Sequence, residues 1–262
     1  MISSKPTTAT AANQLLESDA AYFELGADVY PLEAASLTCM AEFAPLHAAC
    51  VVQRLQPSGI RSPVQWLVNV EREIAARGFN KARIYLTERW PALEAALTEA
   101  GFRPRIEYGF LFKRAPQPAT EQVTLREVLT EADWRAKTRL HCEADLGSDG
   151  YRSDGALWTK LVRAKCATGG MRSFLIEQNG EVCGSIGMVE LSEVIRLKNL
   201  LISGGKKRRG LGSSSVRTVA RLAAAVGKPA GIFAVESGPG ETTYRSLGME
   251  VVTQHTEWTK QL

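Results

Sequence analysis

Along the last third of the chain the spacing of apolar residues switches from strand-like to helical and back. Residues 194–202 (VIRLKNLLI) are rich in Val, Ile and Leu at strand length, whereas Val216, Val219, Ala220, Ala223 and Val226 recur at helical spacing until Gly227 ends the run. A second apolar strand follows at Gly231–Glu236 (GIFAVE). A short helical segment, Glu241–Leu247, and a closing strand through Val251 and Val252 come after it. Upstream, Arg172–Gln178 and Val182–Leu191 are strand-like and are separated by Asn179-Gly180, which predicts a hairpin with a type I′ turn. Val123–Glu127 predicts an opening strand. Thr130–Asp133 supplies an N-cap and an acidic first turn for a helix over Trp134–Cys142. A second helix is predicted to turn Trp158, Leu161 and Val162 to the core before Gly169-Gly170 stops it.

The pattern occurs twice. Gly78–Glu88, the helical Pro91–Ala100 and Gly101-Phe102 mirror Gly227–Glu236, the short helix and Gly248-Met249, and the glycine-to-glycine spans differ by only two residues. Val64–Ala76 is amphipathic, like the helix that precedes Gly227. We read an internal duplication with an offset of about 150 residues. The segment Arg114–Thr120, with two prolines and no apolar period, reads as an inter-domain linker, and residues 1–14 as a polar, flexible tail.

Composition narrows the class. An apolar fraction of 45% with 23% charged residues is globular, and 262 residues exceed the needs of one small domain. No apolar run reaches membrane-spanning length and the N-terminus lacks a signal-peptide core, which predicts no membrane partner. Cys39, Cys50, Cys142, Cys166 and Cys183 are odd in number and form no C-x-x-C pair, so reduced thiols and a cytoplasmic location are expected. His47, His141 and His255 are scattered and suggest no metal site. The net charge of +4 suits a polyanionic ligand without demanding nucleic acid.

Candidate chemistry centres on Lys206–Ser215 (KKRRGLGSSS), a basic, glycine-spaced turn between a strand and an amphipathic helix. Gly210 and Gly212 let a ligand approach the backbone, and the first-turn N–H groups of the helix favour an anion. Read alone, the glycines are equally a turn, and the four cations a solvated face or a nucleic-acid contact.

Two motifs in order favour the first reading. Tyr244–Met249 resembles the L-Y-x-x-L-G-F ending of the GCN5-related N-acetyltransferase (GNAT) superfamily, and Lys207–Gly212 is similar to its [Q/R]-x-x-G-x-[G/A] pyrophosphate loop. The resemblance implies an α/β (α+β) fold of two GNAT-like mixed-sheet domains with helices on both faces. One, degenerate, would span 15–113; the other, catalytic, 121–262, joined by the linker 114–120. It implies acetyl-CoA as acyl donor and direct transfer to an amine, with Lys207, Arg208, Arg209, Gly210, Leu211, Gly212 and Ser213 at the phosphates and backbone groups of Leu200 and Ile202 on the pantetheine arm. Tyr244 matches the residue that protonates the departing thiolate. Arg196 stands where some members carry a base glutamate, leaving Glu190 and Glu193 as alternatives, each also readable as a surface carboxylate of the hairpin.

In the first copy Gln56–Pro63 has one glycine, two prolines and one cation where the cradle should stand, and Leu97 replaces the tyrosine. The resemblance places the acceptor, a small-molecule amine or a protein amino group, near His141–Asp154, whose Glu143, Asp145, Asp149 and Asp154 either attract a cation or are merely solvated. Transfer of another acyl or aminoacyl group, and CoA sensing without turnover, remain alternatives. The assembly is expected to be a monomer or a dimer.

Overall fold

The computed structural model describes residues 8–117, 123–143, 154–204 and 210–262. In chain order its elements are α1 (Thr8–Glu24), β1 (Asp28–Leu32), β2 (Ala35–Cys39), β3 (Cys50–Gln53), α2 (Pro63–Ala76), β4 (Lys81–Leu86), α3 (Pro91–Glu99), β5 (Arg103–Leu111) and β6 (Thr124–Glu127). There follow α4 (Glu131–Glu143), α5 (Gly155–Ala167), β7 (Met171–Gln178), β8 (Glu181–Glu190), β9 (Ile195–Ile202), α6 (Leu211–Ala225), β10 (Ala230–Val235), α7 (Pro239–Ser246) and β11 (Glu250–Gln261).

The chain divides into two compact units, and their membership is interleaved. Asp19–Glu107 with Gln254–Leu262 makes one; residues 8–18 with Tyr108–Thr253 make the other. The units therefore do not follow the linear cuts at 14, 113 and 121, because β5 and β11 each contribute residues to both. The end of β11 pairs antiparallel with β4, Trp258 opposite Ile84. Periodicity locates a strand but does not name its partner.

In the first unit β1, β2 and β3 pair antiparallel, and β3 runs parallel to β4 with Val52 opposite Ile84. Helix α2 starts on Ser62, whose hydroxyl accepts from the Gln65 N–H, with Pro63 at the first helical position. It buries Trp66, Leu67, Val70 and Ile74, and α3 buries Leu93, Ala96 and Leu97.

In the second unit the strand order is β5-β10-β9-β8-β7-β6. Asn179 and Gly180 both take positive φ (+52° and +79°) between β7 and β8, the type I′ turn the sequence predicts. Ile186, Met188, Ile195 and Leu197 join Val216, Val219, Ala220 and Ala223 of α6 in one apolar cluster. By strand alternation Ser185 faces the other way, and it meets His141 of α4. Helices thus cover both faces of this mixed sheet. The first turn of α4 is closed by Thr130 and Asp133, each accepting from the other's backbone N–H.

Residues 8–14 are not a tail. They open α1, with Ala11 and Leu15 buried against Leu111, Val194 and Phe233. The run of Thr and Ala reads as polar but is small enough to pack closely.

The duplication is visible as architecture. The order β1-β2-β3-α2-β4-α3-β5 repeats as β7-β8-β9-α6-β10-α7-β11, with two antiparallel pairings and then a parallel one in each. Gly78 and Gly227, and Gly101 and Gly248, occupy matching positions with φ between +77° and +86°.

Candidate cofactor site

Strand β9 is left partly unpaired on both sides. It pairs with β10 only at Ile195–Ala230 and Arg196–Gly231, after which β9 runs on to Ile202 and β10 to Val235 without pairing. The two strands part. On the other side Gly187 lies opposite Lys198 and Ser185 opposite Leu201, so Asn199 and Leu200 together face Ile186 in a bulge, with Asn199 at φ +55°. A bulge re-aims backbone groups that a regular ladder would consume.

Helix α6 begins where β9 ends. Gly210 is its N-cap in the left-handed region (φ +73°), and no side chain caps the helix. The first-turn N–H groups therefore sit at the positive end of a 15-residue helix without a side-chain acceptor of their own. Gly212 has ordinary helical φ, and a Cβ built on it would lie 3.6 Å from Ile202 and 3.9 Å from Leu200, in normal contact. The protein itself does not require glycine there. A group lying against the backbone would. Leu200, Ile202, Gly210, Gly212 and Ser213 thus come together as expected, whereas the Leu211 side chain is buried in the core and leaves only its backbone for a ligand. Lys207, Arg208 and Arg209 lie outside the described residues.

Tyr244 projects from α7 into the apolar cluster, its ring edge-on to Phe110 at 5.7 Å. Burial pushes its phenol up to about 12, with the charge of Arg196 acting the other way, so it holds its proton at neutral pH. Its hydroxyl makes no hydrogen bond to another described residue. Arg196 is buried, donates from Nη1 to the Leu197 carbonyl at 2.5 Å and lies over the Phe233 ring at 4.6 Å.

Neither candidate base is near this end of β9. Glu190 pairs with Lys228 at 2.7 Å and stands opposite Ile195. At about 3.3 Å per residue that is roughly 20 Å from Ile202. Glu193 is half-exposed in the turn leading into β9. A cavity of about 450 Å³ lies against Ala224, Gly227, Pro229 and Phe112. It is at the far end of α6, about 20 Å from Gly210.

Sequence reasoning missed the polar layer between the sheet and α4 and α5. His141 Nε2 meets Ser185 Oγ at 3.2 Å, and Lys137 and Lys165 are fully buried. Burial, then the nearby charge of Lys198, brings Lys165 down to about 7. Lys198 directly precedes the bulge. No local motif announces this layer, because its members come from four elements. Of the predicted acceptor segment, 144–153 lies outside the described residues; Glu143 is exposed and Asp154 caps α5 through the Leu157 N–H at 2.8 Å.

One histidine does lie among carboxylates. His255 Nε2 meets Glu107 at 3.0 Å while its Nδ1 faces Asp19 at 3.8 Å. One ligand atom from each of Asp19, Glu107 and His255 lies within 4.8 Å of the others, a grouping the scattered histidines of the sequence did not suggest. Burial alone would raise Glu107; the His255 hydrogen bond and charge, with Arg105, outweigh it and hold the carboxyl down at about 2.

No helix among the described residues is long and apolar enough to cross a membrane. No protein-family model matches the sequence, and no curated protein matches it. Solved structures match the fold over nearly the whole chain. A functionally unknown conserved protein from Staphylococcus epidermidis superposes with a TM-score of 0.68 at 11% identity, covering 90% of this chain and 95% of that one. A GCN5-related N-acetyltransferase from Kribbella flavida gives 0.66 at 15% identity over 95% of both. A tandem GNAT protein from the clavulanic acid biosynthesis pathway gives 0.56 at 11% identity over 87% of this chain and 79% of that one. At such identities the likeness is one of fold, and the fold is that of the GCN5-related N-acetyltransferases in a tandem arrangement.

Proposed function

We propose that this protein transfers an acyl group, acetyl in the first instance, from its coenzyme A thioester to an amine, and that only the second unit binds the thioester. The observation that carries the reading is the parting of β9 from β10 beside an uncapped helix start, with Gly212 facing Ile202 and Leu200 where the fold would tolerate a Cβ. First-turn N–H groups of α6 suit a pyrophosphate. Peptide groups of β9 that no strand pairs suit the amides of a pantetheine arm.

In that geometry the amine nitrogen attacks the thioester carbonyl carbon. Negative charge develops on the carbonyl oxygen, where an N–H from the bulged stretch of β9 stabilises it. The C–S bond then breaks, and the thiolate takes the Tyr244 proton, which solvent replaces. A phenol pushed up to about 12 is protonated and able to donate. The acceptor must arrive as, or become, a free amine. With Glu190 engaged far away, water is the proton acceptor we assign. The sequence puts four cations, residues 206–209, immediately before Gly210, and a polyanionic acyl donor would give this basic run a role without nucleic acid.

A CoA sensor without turnover is the second reading, favoured by Arg196 where a base would sit. Incubation with several acyl-CoAs and a panel of amines, following free thiol, separates the two. Acceptor-dependent thiol release is expected. Saturable CoA binding with no thiol release from any pair supports the sensor instead.

A further inference from the structure

Cys39 and Cys50 stand directly opposite each other on β2 and β3, with their Sγ atoms 3.8 Å apart and both side chains buried. The Met40 N–H donates to the Ala49 carbonyl at 2.8 Å. That bond brackets the cysteines from outside and makes them a non-hydrogen-bonded pair, the kind in which facing Cα atoms approach to about 4.5 Å. Such a separation lies within the span a disulfide bridges, about 4.4 to 6.8 Å. The sulfurs must close by about 1.8 Å to reach bonding distance.

The two thiols are unequal. The hydrogen bond to Cys50, assisted by the Arg77 charge against the opposing effect of burial, draws the Cys39 thiol below its usual value. The same hydrogen bond and burial push Cys50 up. The other three differ: Cys142 is exposed, Cys166 is pushed up to about 11 by burial, and Cys183 donates to the Glu181 carbonyl at 3.3 Å.

We propose that Cys39 and Cys50 are a redox site, converted by hydrogen peroxide into an intramolecular disulfide and restored by a dithiol. The Cys39 thiolate attacks one peroxide oxygen, the O–O bond breaks, and hydroxide leaves to give a sulfenic acid. The Cys50 sulfur then attacks the Cys39 sulfur. The S–O bond breaks, and the departing hydroxide takes the Cys50 proton as water. Two thiols and one peroxide yield one disulfide and two waters. Both residues are buried, 3% and 2% exposed, and peroxide is among the smallest oxidants. The link closes the loop 40–49 and fixes the β2–β3 register, a device independent of the proposed acyl transfer.

The test uses the full chain carrying Cys142→Ser, Cys166→Ser and Cys183→Ser. After peroxide treatment, unfolding and alkylation, the protein should be unalkylated and lighter by about 2 Da, recover both thiols with dithiothreitol, and melt several degrees higher while oxidised. Adding Cys50→Ser should arrest Cys39 as a sulfenic acid trapped by dimedone. If the triple variant does not fold, peptide mapping of the oxidised wild type must show Cys39 joined to Cys50. Two thiols still alkylated after peroxide, over-oxidation of Cys39 without the link, or a bridge from either residue to another cysteine overturns the proposal.

Discussion

The two repeats share an element order and spend their polar residues differently. At the start of α2 the Ser62 hydroxyl takes up an N–H and Pro63 removes another donor, so the helix answers its own needs. At the start of α6 the cap is a glycine with no side-chain acceptor. The strands that follow diverge too. When Gly78 is aligned with Gly227, Arg83 and Tyr85 of β4 fall where β10 has Ile232 and Ala234. Arg83 is buried with Glu257, Nε to Oε1 3.1 Å and each 1% exposed, and Glu257 also takes bonds from Arg105 at 2.7 Å and Tyr85 at 3.3 Å. The first repeat thus places a buried charge network where the second has apolar residues, and the second starts its helix without the side-chain cap that the first has.

The sharpest break of this comparison targets the internal network. Glu257→Ala leaves Arg83 buried without its carboxylate and should cost about 3–5 kcal/mol in denaturant unfolding. A loss below about 1 kcal/mol would show that the network is not what holds the first unit.

Tyr244→Phe keeps the ring against Phe110 and removes only the hydroxyl. Because an acid on the leaving group acts on charge that develops during C–S cleavage, kcat should fall roughly ten- to a thousandfold while the dissociation constant for acetyl-CoA stays put. Normal turnover would make Tyr244 a packing residue, the counterpart of the fully buried Leu97.

The smallest effect belongs to the cap. Ser62→Ala should lower stability by about 1 kcal/mol in thermal or chemical unfolding and leave acetyl-CoA affinity unchanged. A change in affinity would give the first repeat a part in binding.

The fold was legible because its signals are local. Asn179-Gly180 names its turn, Gly227 and Gly248 their helix ends, and Val216 to Ala223 a helix face. What stayed hidden depends on residues distant in sequence. The exchange of the β11 end onto β4, the packing of residues 8–14, the His141–Ser185 contact and the facing of Cys39 and Cys50 all require knowing which strand lies beside which. Glu190 illustrates the same limit, since its sequence distance from Lys207 says little about its place along β9, while the Lys228 ion pair explains it. The Gly59 of the first repeat also has a structural reason: a Cβ there would lie 2.7 Å from that of Ala34.

Calorimetric titration of acetyl-CoA tests the central claim most directly. One site per chain is expected, abolished by Gly212→Val with the fold retained, since the added side chain starts in ordinary contact with Ile202 and Leu200 and takes the space proposed for a phosphate. Two sites per chain, or one site that survives Gly212→Val at full affinity, would contradict it.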